Sequence, residues 1–590
     1  MKRLYPILGV LILALIFSGT AIAGKVHKMS IEEASAIEIL PDDNADFDAG
    51  PARPYQGSDV TDSPGLLVGT TYYDYQTNGS SGNRISKHEC GIHMCWMNGI
   101  GSWQGNRYVY YNFLDNNRNL GWSGGIGVSS EEGAGYTNLD NTADGRAVVA
   151  FHNSNNLGMT VATDPVCGVG AFILSNVPDQ YPGEEQFFWP YIAVDGNDNY
   201  QIVGTENEPA AGDPQMVGHT ISSDEGGSWS ELLLFGELMD ISEIVVASHT
   251  DNKVAIVYTF PIDDGGEPTQ YNNDVCYIES EDGTTWDYDS YVNVTNYEYD
   301  DTIRAYTDLD AVYDMDGNLH ILWNAPGYFA EDGTITVDAC FMYHWSEATG
   351  ITMVYNAWHP SFPGAWNRSA SKMSLAICGS APEVVYALWT HFDDMDVSGG
   401  GWSNGELYLA SSTDYGETWS EPINVTDSYS GDCMSEDCDS DHWSSMAEVA
   451  DDSVYILYIN DKDAGGMPQT EGTQTENPVL YLAVSEPTSI CSPISVDDEV
   501  SVPSVFELAQ NYPNPFNANT NISFNLDEAS NVSLEVFNIL GEKVTTLIDG
   551  KLAAGEHTMS WDAAKYTSGV YMYKLSANGV SETRRMVLLK

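Results

Sequence analysis

A short turn motif recurs along the middle of this chain and limits its fold more than any other feature. The motif reads Ser-x-Asp-x-Gly-x-Ser/Thr-Trp and is complete at Ser222–Trp229 and at Ser412–Trp419. Degraded copies end at Trp286 and Met353, so the aromatic position recurs about every 60 residues. In such a turn the Asp side chain accepts backbone N–H groups and the Gly adopts positive φ. A unit that recurs on this scale predicts a repeat architecture built from β-hairpins.

The motif resembles the Asp-box of sialidases and related β-propellers. In those proteins it lies at the rim of a blade, so we interpret it as a marker of the fold and not as a catalytic element. The resemblance rests on the acidic, glycine and tryptophan positions of three copies. These are Asp224, Gly226, Trp229, Gly283, Trp286, Asp414, Gly416 and Trp419.

Apolar strand-like stretches accompany the turns. Seven of them occur between Ile85 and Tyr458, and Leu66–Tyr73 is expected to supply an outer strand that closes the ring. Closure removes the free sheet edges that an open array would leave. The chain is therefore predicted to be all-β, with a β-propeller followed by a small immunoglobulin-like sandwich. Seven blades fit best, and six or eight are also compatible because the second unit is short.

The last part of the chain begins with a proline-rich motif. Residues 511–517 read Asn-Tyr-Pro-Asn-Pro-Phe-Asn, and the two prolines fix φ and exclude helix. Alternating runs such as 521–526 and 569–575 follow, separated by turn signals, as in a sandwich of six or seven strands. The opening motif, the Ser-Gly-Val-Tyr-Met-Tyr-Lys-Leu strand and the basic, apolar end resemble the C-terminal sorting domain of the type IX (Por) secretion pathway. The resemblance implies contact with the type IX machinery and, typically, removal of the tail after export.

The other end of the chain also indicates export. Met1–Ala23 has Lys2 and Arg3, an apolar run and an Ala-Ile-Ala cleavage site, which is the pattern of a signal peptide. No later segment has 18 consecutive apolar residues, so the mature chain is predicted to have no transmembrane segment. We predict a protein on the outer surface of a two-membrane bacterium or secreted from it. Its regions are a signal peptide (1–23), an acidic leader (24–60), a sialidase-like propeller (61–487), a linker (488–502) and a sorting domain (503–590).

The net charge excludes several classes of partner. The chain has 22 basic and 86 acidic residues, a formal charge of −64, and nearly all of this charge lies in residues 24–502. Such a surface repels nucleic acid, anionic lipid and anionic glycans, and it attracts divalent cations. No G-x-S-x-G, H-E-x-x-H, phosphate-loop or dinucleotide motif occurs, which argues against those enzyme classes.

The densest acidic loop is the candidate Ca²⁺ site, beside the simpler interpretation of a solvated acidic coat. Carboxylate oxygens are the ligands that Ca²⁺ prefers, and a short disulfide is expected to staple this loop. The candidate ligands are Asp432, Glu436, Asp437, Asp439 and Asp441.

Nine cysteines leave at least one thiol free if all pairing is internal. Cys90 with Cys95, and Cys433 with Cys438, are expected to form short-loop disulfides in an oxidising exterior. Zinc is an alternative that the Cys-x₄-Cys spacing fits only loosely. Two histidines flank the first pair and are interpreted as structural. The connectivity of the other five cysteines cannot be read from the sequence.

Ligand sites of propellers usually lie on the axis, at the loop that precedes each innermost strand. Three of the few arginines occupy that position, Arg84, Arg304 and Arg368. Converging arginines would bind a carboxylate through bidentate hydrogen bonds, and aromatic faces would stack on sugar rings. Aromatic or histidine side chains at the same position in other units are Trp189, Trp366, His442 and Trp443.

The three arginines resemble the arginine triad of sialidases, which also use a Tyr nucleophile paired with a Glu and an Asp acid/base. The resemblance implies Tyr306, with Asp308 or Asp300, as candidate catalytic residues. Two departures weaken this assignment. The Arg-Ile-Pro start of sialidases is Arg-Ile-Ser here, and no Tyr–Glu pair is evident.

Three interpretations of the arginines therefore stay open. They neutralise acidic loops, they form a non-catalytic site for a glycan or carboxylate, or they serve a working glycosidase. The sequence favours an exported acidic propeller with a non-catalytic binding or structural role on extracellular polymers. A sialidase-like exo-glycosidase and a self-assembling surface layer or filament subunit are the alternatives.

Overall fold

The computed structural model describes residues 63–491 and 506–590, apart from short loop segments. The longest of these segments are 179–186, 207–214 and 263–269. The predicted signal peptide (1–23) and acidic leader (24–60) lie outside the described residues.

Nearly all regular structure in the larger region is β-strand, with one 3₁₀ turn at Met467–Gln469. In chain order the strands are β1 (Leu66–Thr71), β2 (Ile85–His88), β3 (Gly91–Gly99), β4 (Arg107–Asp115), β5 (Ile126–Gly127), β6 (Ala134–Asn141), β7 (Ala147–Asn153), β8 (Gly158–Thr163), β9 (Ile173–Asn176), β10 (Phe187–Val194), β11 (Tyr200–Glu206), β12 (Gln215–Ser222), β13 (Leu233–Leu238), β14 (Glu243–Ala247), β15 (Val254–Pro261), β16 (Asn273–Ser280), β17 (Val292–Asn293), β18 (Leu309–Tyr313), β19 (Leu319–Phe329), β20 (Thr334–Ser346), β21 (Gly350–Ala357), β22 (Ala370–Cys378), β23 (Val385–His391), β24 (Glu406–Ser412), β25 (Ile423–Asn424), β26 (Ser440–Met446), β27 (Val449–Ala450), β28 (Ser453–Asp461) and β29 (Asn477–Ser485).

These strands form a ring of antiparallel sheets, numbered here as blades in chain order. Blades 1 to 6 begin at β2, β6, β10, β14, β18 and β22, and each contains four consecutive strands. The short β27 joins blade 6 by a parallel pairing with β22. Blade 7 has the order β26-β28-β29-β1, so the first strand of this larger region pairs with its last strand and closes the ring. Each innermost strand contacts the next one around the ring, and β26 contacts β2.

The innermost strands carry almost no exposed side chains because each sheet packs face to face against two others. Every residue of β14, β18 and β22 is buried. A strand buried on both faces loses the apolar–polar alternation of a half-exposed strand, which explains the continuous apolar runs in the sequence. The largest side chains fully enclosed between blades are Trp96, Trp323, Trp389 and Trp443.

The repeated turn motif connects the third strand of a blade to the outermost one. Asp224 accepts hydrogen bonds from the backbone N–H of Ser228 (2.6 Å) and from its hydroxyl (2.7 Å), and Gly226 has φ +81°. Trp229 reaches the previous blade, where its Nε1 donates to the Ser175 hydroxyl at 3.1 Å. The turn thus ties neighbouring blades together at the rim and lies far from the axis.

The copy of the motif in blade 4 is one residue shorter than the complete copies. Asp282 takes the acidic role there, since its Oδ1 accepts the backbone N–H groups of Thr284 (2.8 Å) and Thr285 (2.6 Å). Asp282, and not the preceding Glu281, thus occupies the acidic position of this copy. The shorter turn keeps the same chemistry because Gly283 still supplies the positive φ of +69°.

Four innermost strands contain a bulge at the same level. The pairing register shifts in β6, β10, β22 and β26, and in each bulge one non-glycine residue has φ near +50°. A bulge re-aims the side chain that it carries. The four residues are Tyr136, Trp189, Lys372 and Trp443.

Residues 72–77 and 79–84, here called the axial segment, connect β1 to β2 and are nearly all buried. On the blade 7 side, the Tyr75 ring lies 4.6 Å from the Trp443 ring. The Asp74 carboxylate accepts the backbone N–H of Met467 at 2.8 Å. The segment is therefore anchored first to the blade that its preceding strand completes.

The axial segment then reaches blades on the opposite side of the ring. The Ser80 carbonyl accepts the Tyr191 hydroxyl of blade 3 at 2.8 Å. Gly79 packs so closely on Ile241, just before blade 4, that a Cβ would lie 1.3 Å from the Ile241 carbonyl oxygen. A segment that touches blades 7, 3 and 4 crosses the axis, so the chain itself fills the centre of the ring.

The smaller region is a two-sheet sandwich. Its strands are β30 (Phe506–Leu508), β31 (Asn519–Leu526), β32 (Ser530–Asn538), β33 (Lys543–Leu552), β34 (Gly555–Asp562), β35 (Gly569–Ala577) and β36 (Val580–Leu588). One sheet has the order β30-β31-β34 and the other β33-β32-β35-β36. Alternate residues of β31 are buried, as expected for a strand with one face in a sandwich core.

We expect Gly79→Ala to destabilise the propeller, because the backbone oxygen of Ile241 cannot yield space for a methyl group. Overpacking of this kind costs about 1–3 kcal/mol. Thermal unfolding of the full chain measures the effect. Gly127→Ala in β5 is the matched control, since its Cβ would meet nothing closer than 3.4 Å. Equal melting temperatures for the two variants would contradict the tight crossing of the axis.

Candidate functional site

Arg84 does not face an open pocket. Its guanidinium is buried and its Nη2 donates to the main-chain carbonyls of Trp443 and Ser444, the latter at 3.2 Å. Burial lowers the pKa of Arg84 to about 10. The arginine therefore joins the start of blade 1 to the bulge of blade 7, across the seam where the ring closes.

Arg304 is enclosed by its own loop. Nε donates to the Asn272 side chain at 2.8 Å, and Nη2 donates to the Glu298 carbonyl at 2.6 Å. Nη1 donates to the carbonyls of Asp301 and Ile303, both at 2.8 Å. Burial lowers its pKa. Its donors are thus directed at one side-chain oxygen and three backbone oxygens of the protein, whereas an arginine of a carboxylate site would direct them at a ligand.

Arg368 lies close to the proposed nucleophile. Its guanidinium stands 4.2 Å from the centre of the Tyr306 ring, and Nη1 donates to the Asn367 carbonyl at 2.6 Å. Tyr306 is only 2% exposed. The structure therefore brings two of the predicted site residues together, but as a buried cation–π pair. Trp366 and Asp300 lie outside the described residues.

Asp308 forms a buried ion pair that the sequence analysis did not foresee. Its carboxylate accepts the Lys372 ammonium at 2.7 Å and the Lys372 backbone N–H at 2.9 Å. The same ammonium lies 5.0 Å from the Trp443 ring centre. Site residues were expected only in the loops before the innermost strands, whereas Lys372 lies within the innermost strand β22. A lone lysine inside an apolar strand was the signal that could have found it.

One cavity near the axis, within the described residues, is small. Its lining comes from the axial segment and from blades 2 and 3, and includes Tyr136, Asn138, Trp189 and Tyr191. The cavity volume is about 10 Å³, which is room for about one water molecule. A sugar ring does not fit there in this conformation.

His442 belongs to a buried acidic group at the blade 7 side of the axis. Its Nε2 lies 3.4 Å from Asp461 Oδ2. Burial raises the pKa of Asp461 to about 8, and burial with the Asp461 charge raises that of Asp74 to about 8. Burial also lowers the pKa of His442 to about 4. Near neutral pH the two carboxyls are therefore mostly protonated and the imidazole is neutral, so the group carries little charge.

The acidic loop proposed for Ca²⁺ divides into a buried and an exposed part. Asp439 accepts the Lys462 ammonium at 2.6 Å, and Asp441 accepts the side chains of Ser428 (2.7 Å) and Asn460 (2.8 Å). The other members are Asp432, Glu436 and Asp437, of which the first two have positive φ in the turn. In the described part of the chain, three His, Cys or carboxylate ligand atoms come within 4.8 Å of one another only at Cys90, His93 and Cys167. The acidic loop is not such a set.

One predicted disulfide is wrong. Cys90 bonds to Cys167 of the next blade, 77 residues away, and Cys95 is a free, buried thiol. Cys90 lies in the turn between β2 and β3 and reaches the neighbouring blade, whereas Cys95 lies inside the buried β3. Burial raises the pKa of Cys95 to about 12, so it is unreactive.

The other predicted disulfide, Cys433–Cys438, is present. A third bond joins Cys378 of blade 6 to Cys491, inside the region predicted as a linker. The packed part of the propeller region therefore extends at least to Cys491. Two further cysteines of the described region, Cys276 and Cys340, are free and buried.

The raised pKa values of the buried acids predict how stability depends on pH. A carboxyl whose pKa rises from 3.8 to about 8 on folding binds more protons folded than unfolded over that range. The contribution of these groups to the free energy of unfolding is therefore greatest below about pH 4, and it falls as the pH rises toward 8. We expect the melting temperature of the full chain to be lower at pH 8 than at pH 5 by about 2 °C or more.

Asp461→Asn is the matched variant, because the amide keeps the acceptor of the Asp463 N–H and cannot ionise. It should gain stability at pH 8 and little at pH 5. A melting temperature that rises from pH 5 to pH 8 in the unmodified chain would contradict the assignment.

No helix of the described residues is long and apolar enough to cross a membrane. A comparison with curated proteins found no match to the chain. Solved structures with similar folds include the polysaccharide lyase Uly1, with 11% identity and a TM-score of 0.43, covering 75% of this chain and 95% of that one. The α-L-arabinanase of Penicillium chrysogenum has 9% identity and a TM-score of 0.37, covering 59% and 92%.

The type IX secretion component PorZ of Porphyromonas gingivalis has 12% identity and a TM-score of 0.32, covering 87% of this chain and 60% of that one. A family model gives more specific information about the C-terminus. Residues 510–589 match the family described as secretion system C-terminal sorting domain. The sandwich at the end of this chain is thus a type IX sorting domain, which directs the protein to the cell surface.

Proposed function

We propose that the exported propeller has a non-catalytic role, as a binding or structural protein on extracellular polymers. The observation that carries the proposal is the closed axis. The axial segment crosses the ring, and the cavity beside it holds about one water molecule. A glycosidase needs an open pocket in which an acid and a nucleophile reach the same bond.

The chemistry of the candidate residues supports the same proposal. Arg84 and Arg304 direct their donors at backbone carbonyls, so their charges stabilise the propeller. Tyr306 is buried beneath Arg368, and Asp308 is paired with Lys372. These contacts favour the interpretation in which the arginines are structural. They disfavour the sialidase-like exo-glycosidase, whose triad must be free to receive a carboxylate.

A hydrolysis assay tests the proposal directly. The full chain is assayed against a panel of sialosides and neutral glycosides, beside Arg304→Ala and Arg368→Ala variants. We expect no turnover by any of them. We also expect Arg304→Ala to lose at least about 2 kcal/mol of stability, because buried carbonyls lose their donors.

Arg146→Ala is the matched control, since Arg146 lies at a rim and pairs with Asp144 and Glu225. Turnover that persists in Arg146→Ala and disappears in Arg368→Ala would establish the glycosidase instead. Glycan binding without turnover by the unmodified chain would support a binding role.

A second candidate, self-association at the surface, is favoured by the outer rims of the blades. Within the described residues, the outermost strands of blades 2 to 7, or the residue next to them, carry exposed large apolar side chains. They include Leu67, Ile173, Leu233, Tyr291, Ile351 and Ile423. Each outermost strand also has one unpaired edge, which is a template for contact with another chain. The charge of −64 opposes association until salt screens it.

We expect the full chain to be monomeric at low ionic strength and to associate in about 0.5 M salt, where the Debye length is only a few ångströms. Sedimentation velocity measures the change. A triple variant, Leu67→Asn, Ile173→Asn and Ile351→Asn, should stay monomeric. Met434→Asn is the matched control, since Met434 is 67% exposed but lies in the Cys433–Cys438 loop, away from the outer strands. Association that is unaffected by the triple variant would contradict this candidate.

A further inference from the structure

The hairpin of blade 1 carries three potential metal ligands close together in sequence. His88 ends β2, Cys90 lies in the turn and His93 is the third residue of β3. Blade 2 supplies a fourth, Cys167, from the loop that follows β8. The ligand atoms of Cys90, His93 and Cys167 all lie within 4.8 Å of one another. Two thiols and two imidazoles are the commonest ligand types of a structural zinc site.

Two nitrogen–sulfur distances are close to those of a tetrahedral metal centre, although His88 lies outside the set whose ligand atoms are all within 4.8 Å of one another. With Zn–S near 2.3 Å and Zn–N near 2.1 Å, tetrahedral geometry puts each sulfur about 3.6 Å from each nitrogen. His93 Nε2 lies 3.7 Å from Cys167 Sγ, and His88 Nδ1 lies 3.2 Å from Cys90 Sγ. Each imidazole therefore already stands beside one of the two sulfurs with the required nitrogen.

The nitrogen that would not bind metal has a partner in both histidines. His93 Nδ1 lies 2.7 Å from the Tyr111 hydroxyl, and His88 Nε2 lies 3.3 Å from the Ala143 carbonyl. The backbone N–H of Cys90 also donates to His88 Nδ1 at 3.3 Å, a contact that must open for metal binding, whereas the Nε2 contact with Ala143 can persist. Metal-binding histidines almost always have such an outer contact, which fixes the tautomer and the ring orientation.

The neighbouring turn closes over the cluster. Gly145 has φ +80°, and a Cβ there would lie 2.2 Å from His88 Nδ1 and 2.7 Å from Cys90 Sγ. His93 is fully buried, with its ring 5.0 Å from that of Phe113. His88, Cys90 and Cys167 are partly exposed, so the cluster lies between two blades with one side buried and the other open to solvent.

In the oxidised chain the two sulfurs are bonded to each other. Their Cα atoms are 6.7 Å apart, near the long end of the range for disulfides, whereas the other two bridges have 5.0 and 5.5 Å. Two thiolates on one zinc stand about 3.8 Å apart. This Cα–Cα spacing is compatible with both the disulfide and the metal-bound thiolates. Reduction of the disulfide therefore requires rotation of the two cysteine side chains more than movement of the blades.

We propose that Cys90, His93 and Cys167 bind one zinc-like divalent ion when the disulfide is reduced, and that the neighbouring His88 turns toward them to supply the fourth ligand. Disulfide and metal are alternative links between blades 1 and 2. Reduction adds two electrons and two protons to the sulfurs and needs a reductant such as a phosphine or dithiol. Binding of the ion then releases the two thiol protons, because the ligands are thiolates.

The test uses the full chain, reduced with a phosphine in water, where the oxygen of water ends on phosphorus and its protons on the sulfurs. Co²⁺ is the probe, because tetrahedral thiolate coordination gives it intense visible absorption. We expect one Co²⁺ per chain after reduction, none before, and displacement by one Zn²⁺ that raises the melting temperature. Cys167→Ser and His93→Gln should weaken Co²⁺ binding at least about 100-fold, and Tyr111→Phe about 10–100-fold.

The double variant Cys433→Ser, Cys438→Ser is the matched control, since it removes a reducible disulfide outside the cluster. It should keep the Co²⁺ stoichiometry and spectrum. Circular dichroism confirms that each reduced variant retains its β-sheet. Absence of Co²⁺ absorption in the reduced unmodified chain overturns the proposal, and so does an unchanged spectrum in Cys167→Ser. Loss of sheet signal on reduction that Zn²⁺ does not restore also overturns it.

Discussion

The crossing of the axis by residues 72–77 and 79–84 is the contact on which the rest of the propeller depends. A ring of sheets leaves a central hole whose walls are the most buried strands, and unfilled space there would forfeit packing. The axial segment fills it and gives blades 3, 4 and 7 a common partner. Arg84, at the end of the segment, then fastens blade 1 to the carbonyls of blade 7. The strand that closes the ring, β1, is thus followed directly by the segment that fills the axis.

The same contact limits what the protein can do. In a propeller with an open centre, bulged innermost strands present side chains to a ligand. Here the bulges at Trp189, Lys372 and Trp443 face the chain itself. The charge of Lys372 is used within the fold, in its pair with Asp308. The candidate functional surfaces accordingly lie at the rims and between blades. They are the apolar outer strands and the cluster at Cys90 and Cys167.

Much of the fold could be predicted from the sequence because it follows from local chemistry. The Asp-Gly-Trp turns require a hairpin at fixed positions, and the apolar runs require strands buried on both faces. The pairing of β1 with blade 7 also followed from the pattern. The site could be predicted only in part. The three arginines do precede innermost strands, as predicted. Whether each one faces a ligand or a backbone carbonyl depends on the conformation of irregular loops, which no sequence periodicity reveals.

The sequence by itself determined the all-β class, the recurrence of a hairpin unit and the C-terminal sorting domain, since each is encoded in short, contiguous motifs. Tertiary structure decided which cysteines meet between distant parts of the chain, whereas the short-loop pair Cys433–Cys438 could be predicted from the sequence. Cys90 pairs with Cys167 and not with Cys95, because the turn of one blade faces the loop of the next. It also decided that the axis is closed, since this depends on a glycine 162 residues before the oxygen it touches. Contacts between residues so far apart in the chain leave no pattern in the local sequence.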